Sequence, residues 1–356
     1  MKKIIRMYVL LQLTTLSVLA QLQVSELLCE HLSNPIGIDI RQPRFGWQIM
    51  SATRNTRQVA YEIRVGIDAK DLSGGKHLFW SSGKRNDDSS VNVTYTGPAL
   101  QPGVRYYWQV RVWDNHGMQS PWSDPAYWQT AMLSPSDWKA KWIGAGGVED
   151  TVQRPSPLFR KEFEIRKKIR SATAYITAHG LYEAALNGAR VGKNYLTPGW
   201  TSYQHRLAYQ VYDVTGSLHE GKNAIAVTLG NGWYRGYIGF ANKKDFYGKD
   251  LALLFQLDIS YSDGSTETVV SDESWKSATG AIRSAEIYYG ERIDARQEKK
   301  GWTLPGYDDA GWSVVRTASF SMSNLLAAYN EPITAHETFQ PVRVFRTPRG
   351  EQVIDF

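Results

Sequence analysis

Arg105-Tyr106-Tyr107-Trp108-Gln109-Val110-Arg111-Val112-Trp113 is the stretch that decides the fold. Tyr106, Trp108, Val110 and Val112 occupy alternate positions, and all are aromatic or β-branched. Side chains of a strand alternate between its two faces, so this run predicts a half-buried antiparallel strand. Asp114-Asn115-His116-Gly117 supplies the turn that follows, and Ala126-Tyr127-Trp128-Gln129-Thr130 a further strand. Upstream, Arg44-Phe45-Gly46-Trp47-Gln48-Ile49 and Ala60-Tyr61-Glu62-Ile63-Arg64-Val65 alternate in the same way. Short strands with turn signals at this spacing indicate a β-sandwich over residues 21–133.

Ser134-Pro135-Ser136-Asp137 interrupts the pattern and reads as a linker. Beyond it, Leu158–Phe163, Ala172–Ala178 and Leu251–Tyr261 read as strands, and Ala224–Leu229 is apolar enough for a fully buried one. Asn187-Gly188 carries a type I′ turn signal, and Asp263-Gly264-Ser265 a second hairpin turn. Few windows show helical period. Residues 134–318 therefore predict one larger jelly-roll-like sandwich, and the expected fold class is all-β, in tandem sandwiches. Residues 319–356 carry two more strand-like runs, Gln340–Phe345 and Gln352–Phe356. They read as the start of a truncated further β-domain, because so few residues cannot close a sandwich.

Composition narrows the function. Lys2, Lys3 and Arg6 precede a mostly apolar run from Met7 to Leu19, and Ala20 stands before a cleavage point. That layout predicts a signal peptide over residues 1–20 and export to the periplasm or cell surface. The run is shorter than the ~20 residues that span a bilayer, so no membrane span is expected. Removing its three cations lowers the formal charge from +6 to +3. The remaining Lys and Arg are scattered, which argues against nucleic acid as a partner. One cysteine, Cys29, cannot form an internal disulfide. Thirteen Trp and twenty Tyr are far more than an average share, and they suit both packed cores and the apolar faces of sugars.

Two segments concentrate aromatic residues beside Gly and Pro, Leu196-Thr197-Pro198-Gly199-Trp200-Thr201-Ser202-Tyr203 and Leu229-Gly230-Asn231-Gly232-Trp233-Tyr234-Arg235-Gly236, with Tyr209–Thr215 between them. Trp200, Tyr203, Trp233 and Tyr234 are candidate stacking platforms, with Arg206, Asn231 and Arg235 as hydrogen-bonding partners for a neutral polyol. The same residues equally suit a second role, plugging the end of a sandwich.

The ordered set Asn187-Gly188-x-x-Val191-Gly192, Pro198-Gly199-Trp200-Thr201-x-Tyr203, Tyr212-Asp213-Val214-Thr215 and Gly230-Asn231-Gly232-Trp233-Tyr234-Arg235-Gly236 resembles the N-terminal sandwich of the α-L-rhamnosidases. Glu291-Arg292-Ile293-Asp294-Ala295-Arg296 with Gly301-Trp302, and Pro43-Arg44-Phe45-Gly46-Trp47, are similar to other stretches of that family. The first sandwich, with its Tyr-x-Trp-x-Val-x-Val strand, resembles a fibronectin type III module. The resemblance implies an exported glycoside hydrolase that releases terminal α-L-rhamnose, with a rhamnose-containing glycan or glycoside as partner. It also implies that the catalytic carboxylates lie in a helical barrel downstream of these modules. No catalytic residue is therefore assigned. Glu291 and Asp294 read as structural, with Arg292 and Arg296 as ion partners, and Asp308 and Asp309 as turn residues. Some members of the family bind rhamnose here with calcium, which would draw oxygens from Asn187 and Asn231. Leu186 stands where an acidic ligand would be expected. The rival from another class is a free-standing carbohydrate-binding or adhesion protein. Gly144-Ala145-Gly146-Gly147 is not followed by a helical pattern, which excludes a phosphate loop, and the His residues show no metal-binding spacing.

Overall fold

The computed structural model describes residues 22–239, 242–328 and 330–356, so the signal-peptide reading of residues 1–20 lies outside the described residues. The fold is all-β, in tandem sandwiches. The first is built from β1 (Gln23–Cys29), β2 (Ile36–Ile38), β3 (Arg44–Met50), β4 (Gln58–Gly66), β5 (Trp80–Ser81), β6 (Val93–Thr94), β7 (Arg105–Asp114) and β8 (Ala126–Thr130). A three-stranded sheet in the order β1-β3-β6 faces a five-stranded sheet in the order β2-β8-β7-β4-β5. Strand β7 behaves as its alternation demands: Tyr106, Trp108, Val110 and Val112 are all buried. Phe45 from the facing sheet sits 4.4 Å from the Trp108 ring and 5.3 Å from Trp128, so the two sheets meet through aromatic contacts. Cys29 is buried in this core, and burial pushes its thiol pKa upward. Ser134–Asp137 is a tight connection: Ser134 caps a 3₁₀ turn over Pro135–Asp137, and the Asp137 carboxylate accepts from the Leu133 and Ser134 amides.

The second sandwich uses β9 (Ile143–Gly144), β10 (Pro157–Ile165), β11 (Ile169–His179), β12 (Leu181–Leu186), β13 (Ala189–Arg190), β14 (Leu207–Asp213), β15 (Gly221–Gly230), β16 (Ala252–Tyr261), β17 (Thr266–Val270), β18 (Lys276–Thr279), β19 (Ile282–Glu286), β20 (Gly290–Ile293), β21 (Ser313–Val314), β22 (Arg316–Thr317) and β23 (Leu325–Ala327). One sheet runs β13-β12-β15-β10-β18-β21 and the other β22-β9-β16-β11-β14-β23, with β17 also on β16; β19 and β20 form a separate hairpin. The hairpin signals hold. Asn187 and Gly188 both have positive φ, 52° and 84°, and join β12 to β13. Gly264, at φ 84°, turns β16 into β17. Ala224 to Val227 and Leu229 are wholly buried on β15.

Two expectations are corrected here. Strand β23 lies past residue 318, yet it pairs parallel with β14, Leu207 opposite Leu325, and Ala327 belongs to the large core. The second sandwich thus reaches beyond the boundary set by sequence, because β14 needs an edge partner that the pattern up to residue 318 does not supply. The remaining hairpin, β24 (Arg343–Arg346) and β25 (Gln352–Asp355), is mostly exposed. Second, Asp309 is more than a turn residue. Asp308 caps the Ala310 amide as a turn residue should, but Asp309 forms an ion pair with Arg160, whose side chain is buried, and with Lys276 at 2.8 Å. Arg160 also donates to the carbonyls of Trp302 and Leu304, so this ion network pins the 302–309 loop to β10.

Breaking a buried ion pair from one side leaves an uncompensated charge. Asp309→Ala should lower unfolding free energy by about 3 kcal/mol, and Asp308→Ala by no more than ~0.5 kcal/mol. Urea denaturation of the two variants checks the contrast, and equal losses would refute this assignment of roles.

Candidate functional site

The Gly230–Gly236 segment shows how local sequence distributes its side chains. Strand β15 ends at Gly230 and the chain coils into one short helical turn over Gly232–Arg235. Gly232 has φ +53°, and a Cβ there would fall 2.5 Å from Leu181 Cγ, so only glycine lets the turn lie against β12. Successive residues of so tight a turn point in different directions. Tyr234 goes inward, its ring 4.7 Å from His179 and 5.3 Å from Tyr203. Burial pushes its phenol pKa up to about 12, with a smaller contribution from Asp250. Trp233 goes outward and lies parallel to Trp200, with ring centroids 5.6 Å apart and 5° between planes.

Trp200 is 52% exposed. Its indole NH donates to the Tyr247 hydroxyl at 3.1 Å, and the Tyr203 hydroxyl donates to the Gly199 carbonyl at 2.9 Å. Tyr203 therefore holds the loop and does not face solvent. Trp200 and Trp233 line a groove of about 460 Å³. Its walls come from Leu32 and Ile36 of the first sandwich, the Tyr195–Thr201 loop, Ala208 and Gln210 of β14, and residues 330–333. Tyr195 N donates to the Ile333 carbonyl at 2.8 Å, which fixes the last wall. Asn330 and Glu331 bring an amide and a carboxylate to the same groove.

The seven candidate sugar-binding residues thus separate. Only Trp200 and Trp233 share the groove. Tyr203 and Tyr234 are core. Asn231 and Arg235 are buried behind the turn: Asn231 donates to Glu286 at 2.7 Å and accepts from Arg235 Nε at 2.6 Å, while Arg235 Nη1 pairs with Glu149 at 2.6 Å. Arg206 is exposed but lies beside Trp138 and Tyr209 in a different recess. Sequence reasoning missed Asn330 and Glu331, which lie in a segment assigned to another domain and carry no local signal. It also missed Gln210, which is buried on β14 between the Tyr182 hydroxyl and the Pro198 carbonyl. Its signal was a polar residue in a strand register that points inward.

The calcium expectation is corrected. Asn187 follows β12 and Asn231 follows β15, at opposite ends of the antiparallel ladder that pairs Leu186 with Ile225 and Leu181 with Gly230. Their separation is about 20 Å at ~3.3 Å per residue, far beyond a shared coordination shell. Each amide oxygen is already engaged, Asn187 with the Ala224 amide and Asn231 with a guanidinium that would repel a cation. Among the described residues no group of three or more acidic, His or Cys side chains is placed to hold a metal. These residues do not fit the ion. Of the carboxylates considered for catalysis, Asp294 bonds Arg296 at 2.8 Å and Glu291 lies on the exposed β20. The α-helices among the described residues are two short ones, Ala69–Gly74 and Gly232–Arg235.

Comparison with known proteins places this architecture. Residues 167–337 match the family model of the α-L-rhamnosidase N-terminal domain, and residues 24–134 that of the Rha78A-like N-terminal immunoglobulin domain. The chain belongs to the α-L-rhamnosidase family. It corresponds to that family's N-terminal portion. An α-L-rhamnosidase of Formosa agariphila is 33% identical over 94% of this chain and 38% of its own length. The structure of an α-L-rhamnosidase from Dictyoglumus thermophilum superposes with a TM-score of 0.86 at 35% identity, over 94% of this chain and 38% of the other. That of the Streptomyces avermitilis α-L-rhamnosidase, complexed with L-rhamnose, gives 0.86 at 28% identity, over 94% and 48%. The chain spans about half the length, or less, of the curated relatives it matches. An immunoglobulin-type model at the N-terminus, where a fibronectin type III-like module was expected, retains the β-sandwich architecture.

His179 gives this end of the sandwich a pH dependence. It is buried among Trp142, Phe320 and Tyr234, and burial lowers its pKa to about 4. Above pH ~6.5 the imidazole is neutral both folded and unfolded and costs nothing. As pH falls through that value the unfolded chain takes up a proton that the folded one refuses. Stability is then lost progressively, by up to ~3 kcal/mol, and the loss levels off below pH ~4. Denaturation midpoints followed from pH 7 to pH 4 should show this loss, and His179→Phe should remove that share of the slope.

Proposed function

We propose that this chain supplies the sugar-recognising and docking modules of an exported α-L-rhamnosidase, whose whole protein removes terminal α-L-rhamnose from glycosides or polysaccharides. The observation that carries the reading is the Trp200–Trp233 pair at the mouth of the groove. The two indoles lie parallel with centroids 5.6 Å apart, and about half of Trp200 is left to solvent. A large ring held in place yet half exposed is what a pyranose needs for stacking, and the nearby Asn330 and Glu331 suit its hydroxyl groups. The relative solved with L-rhamnose supports the choice of sugar. The basic and apolar layout of residues 1–20 supports export.

Two outcomes test this. Calorimetry should detect rhamnose or a rhamnosyl oligosaccharide at millimolar concentration. Trp200→Ala should weaken the binding about tenfold, ~1.4 kcal/mol, without moving the melting temperature. No heat from the unaltered protein would refute recognition. The purified 356-residue chain should also fail to release the aglycone from an aryl rhamnoside, because hydrolysis is assigned to the part of the family's chain that these modules do not span. Clear turnover would overturn that division of labour.

A further inference from the structure

A second recess, of about 170 Å³, opens beneath the Gly144–Gly147 segment. The glycines there serve close approach: a Cβ on Gly146 would lie 2.0 Å from the Val314 carbonyl, and Gly147 has φ +77°. This brings the backbone down onto β21, with the Gly146 amide donating to Ser277 Oγ at 2.8 Å. The walls include Pro155, Pro157 and Leu251, all buried, which present apolar surface to one side of an occupant.

The polar side is cationic and incompletely matched. Arg235 is only 2% exposed. Its Nε reaches Asn231 and its Nη1 reaches Glu149 and the Lys249 carbonyl, but Nη2 is buried without a partner. A buried guanidinium arm left unmatched costs free energy that a ligand oxygen would recover. Arg283 lines the same recess and makes only long contacts, 3.3 Å to the Gly280 carbonyl and 3.5 Å to Gln153. Asp150 also lines it; its Oδ1 accepts from the Val152 and Gln153 amides, which keep the carboxylate ionised, and its charge is felt by Arg283. Arg316 is tied at 3.4 Å to Asp250. One donor thus has no partner, Arg235 Nη2, and Arg283 is held only by long contacts to a carbonyl and an amide, with no carboxylate at ion-pair distance. Glu149, on an exposed loop, already shows that a carboxylate can reach this guanidinium.

We propose that this recess binds the carboxylate of a single uronic-acid residue, with Arg235 and Arg283 holding the charge and the proline–leucine wall facing the ring. It is separate from the tryptophan groove, and it would let these modules engage an acidic glycan at two points. The choice of a sugar acid over another carboxylate rests on the carbohydrate reading above. The carboxylate site itself does not.

The test is calorimetry of the full chain with D-glucuronate, with D-glucose and acetate as controls. Glucuronate should bind, glucose should not, and acetate should bind at least tenfold more weakly. Arg283→Gln should reduce glucuronate affinity about tenfold. Glu149→Gln should raise it severalfold, because the competing internal carboxylate is gone; a merely damaging substitution cannot give that sign. Trp200→Ala should leave glucuronate binding unchanged while it weakens rhamnose, so the two sites fail independently. The proposal is overturned if glucuronate gives no heat with the folded protein, if acetate binds as tightly, if Arg283→Gln has no effect, or if Trp200→Ala abolishes both ligands together.

Discussion

Face-to-face burial of the two large sheets is the constraint on which the rest of the structure depends. With one cysteine and no disulfide, the second sandwich is held by apolar packing. Phe159, Ile225, Val227 and Leu229 come from one sheet, and Ile176, Leu253, Phe255 and Leu257 from the other; all are at or below 1% exposure. Interiors this closely packed tolerate little displacement, so the ends of the strands are fixed in space. That rigidity is what allows a turn as short as Gly232–Arg235 to hold Trp233 against Trp200. A platform of two indoles on a loose loop would lose its geometry to chain entropy. The inward half of the same turn is part of the core. Tyr234 closes the end of the sandwich over His179, and the outward half inherits its position from that closure.

The segments that read most clearly in the sequence are those whose environment is set by their own period. The alternation in β7 and the apolar run in β15 each announce which face is buried, and the Asn187-Gly188 turn announces its own positive φ. The candidate site was legible only in part. A Gly-flanked tryptophan signals a tight turn, but its direction depends on what lies beneath. Leu181 beneath Gly232 and the His179 ring beneath Tyr234 come from elsewhere in the chain. Sequence proximity therefore grouped Trp233, Tyr234 and Arg235 as one surface, while the helical turn sends them to the groove, the core and a buried ion pair. Asn187 and Asn231 were grouped through the family resemblance and are separated by the length of β12. Asp309 and β23 escaped because their partners, Arg160 and β14, lie more than a hundred residues away.

The groove is a composite, and that has a consequence for how recognition and docking relate. The first sandwich meets the second where Gly37, at φ +88°, sits against Val211; a Cβ at position 37 would lie 2.8 Å from Val211 Cγ2. Arg105 bridges to Asp213 at 3.1 Å, Gln129 donates to Thr173 at 2.9 Å, and the Ala327 amide donates to Asp39 at 2.8 Å. Exposed ion pairs of this kind contribute little by themselves. The close approach at Gly37 is different, because any side chain there would push Ile36 and Leu32 away from Trp200. The glycine therefore sets the width of a groove that it also lines. Residues 330–333 supply the opposite wall through the Tyr195–Ile333 hydrogen bond. A sugar in this groove would contact two sandwiches and the segment that follows them, so whatever seats these modules on one another also shapes the binding surface.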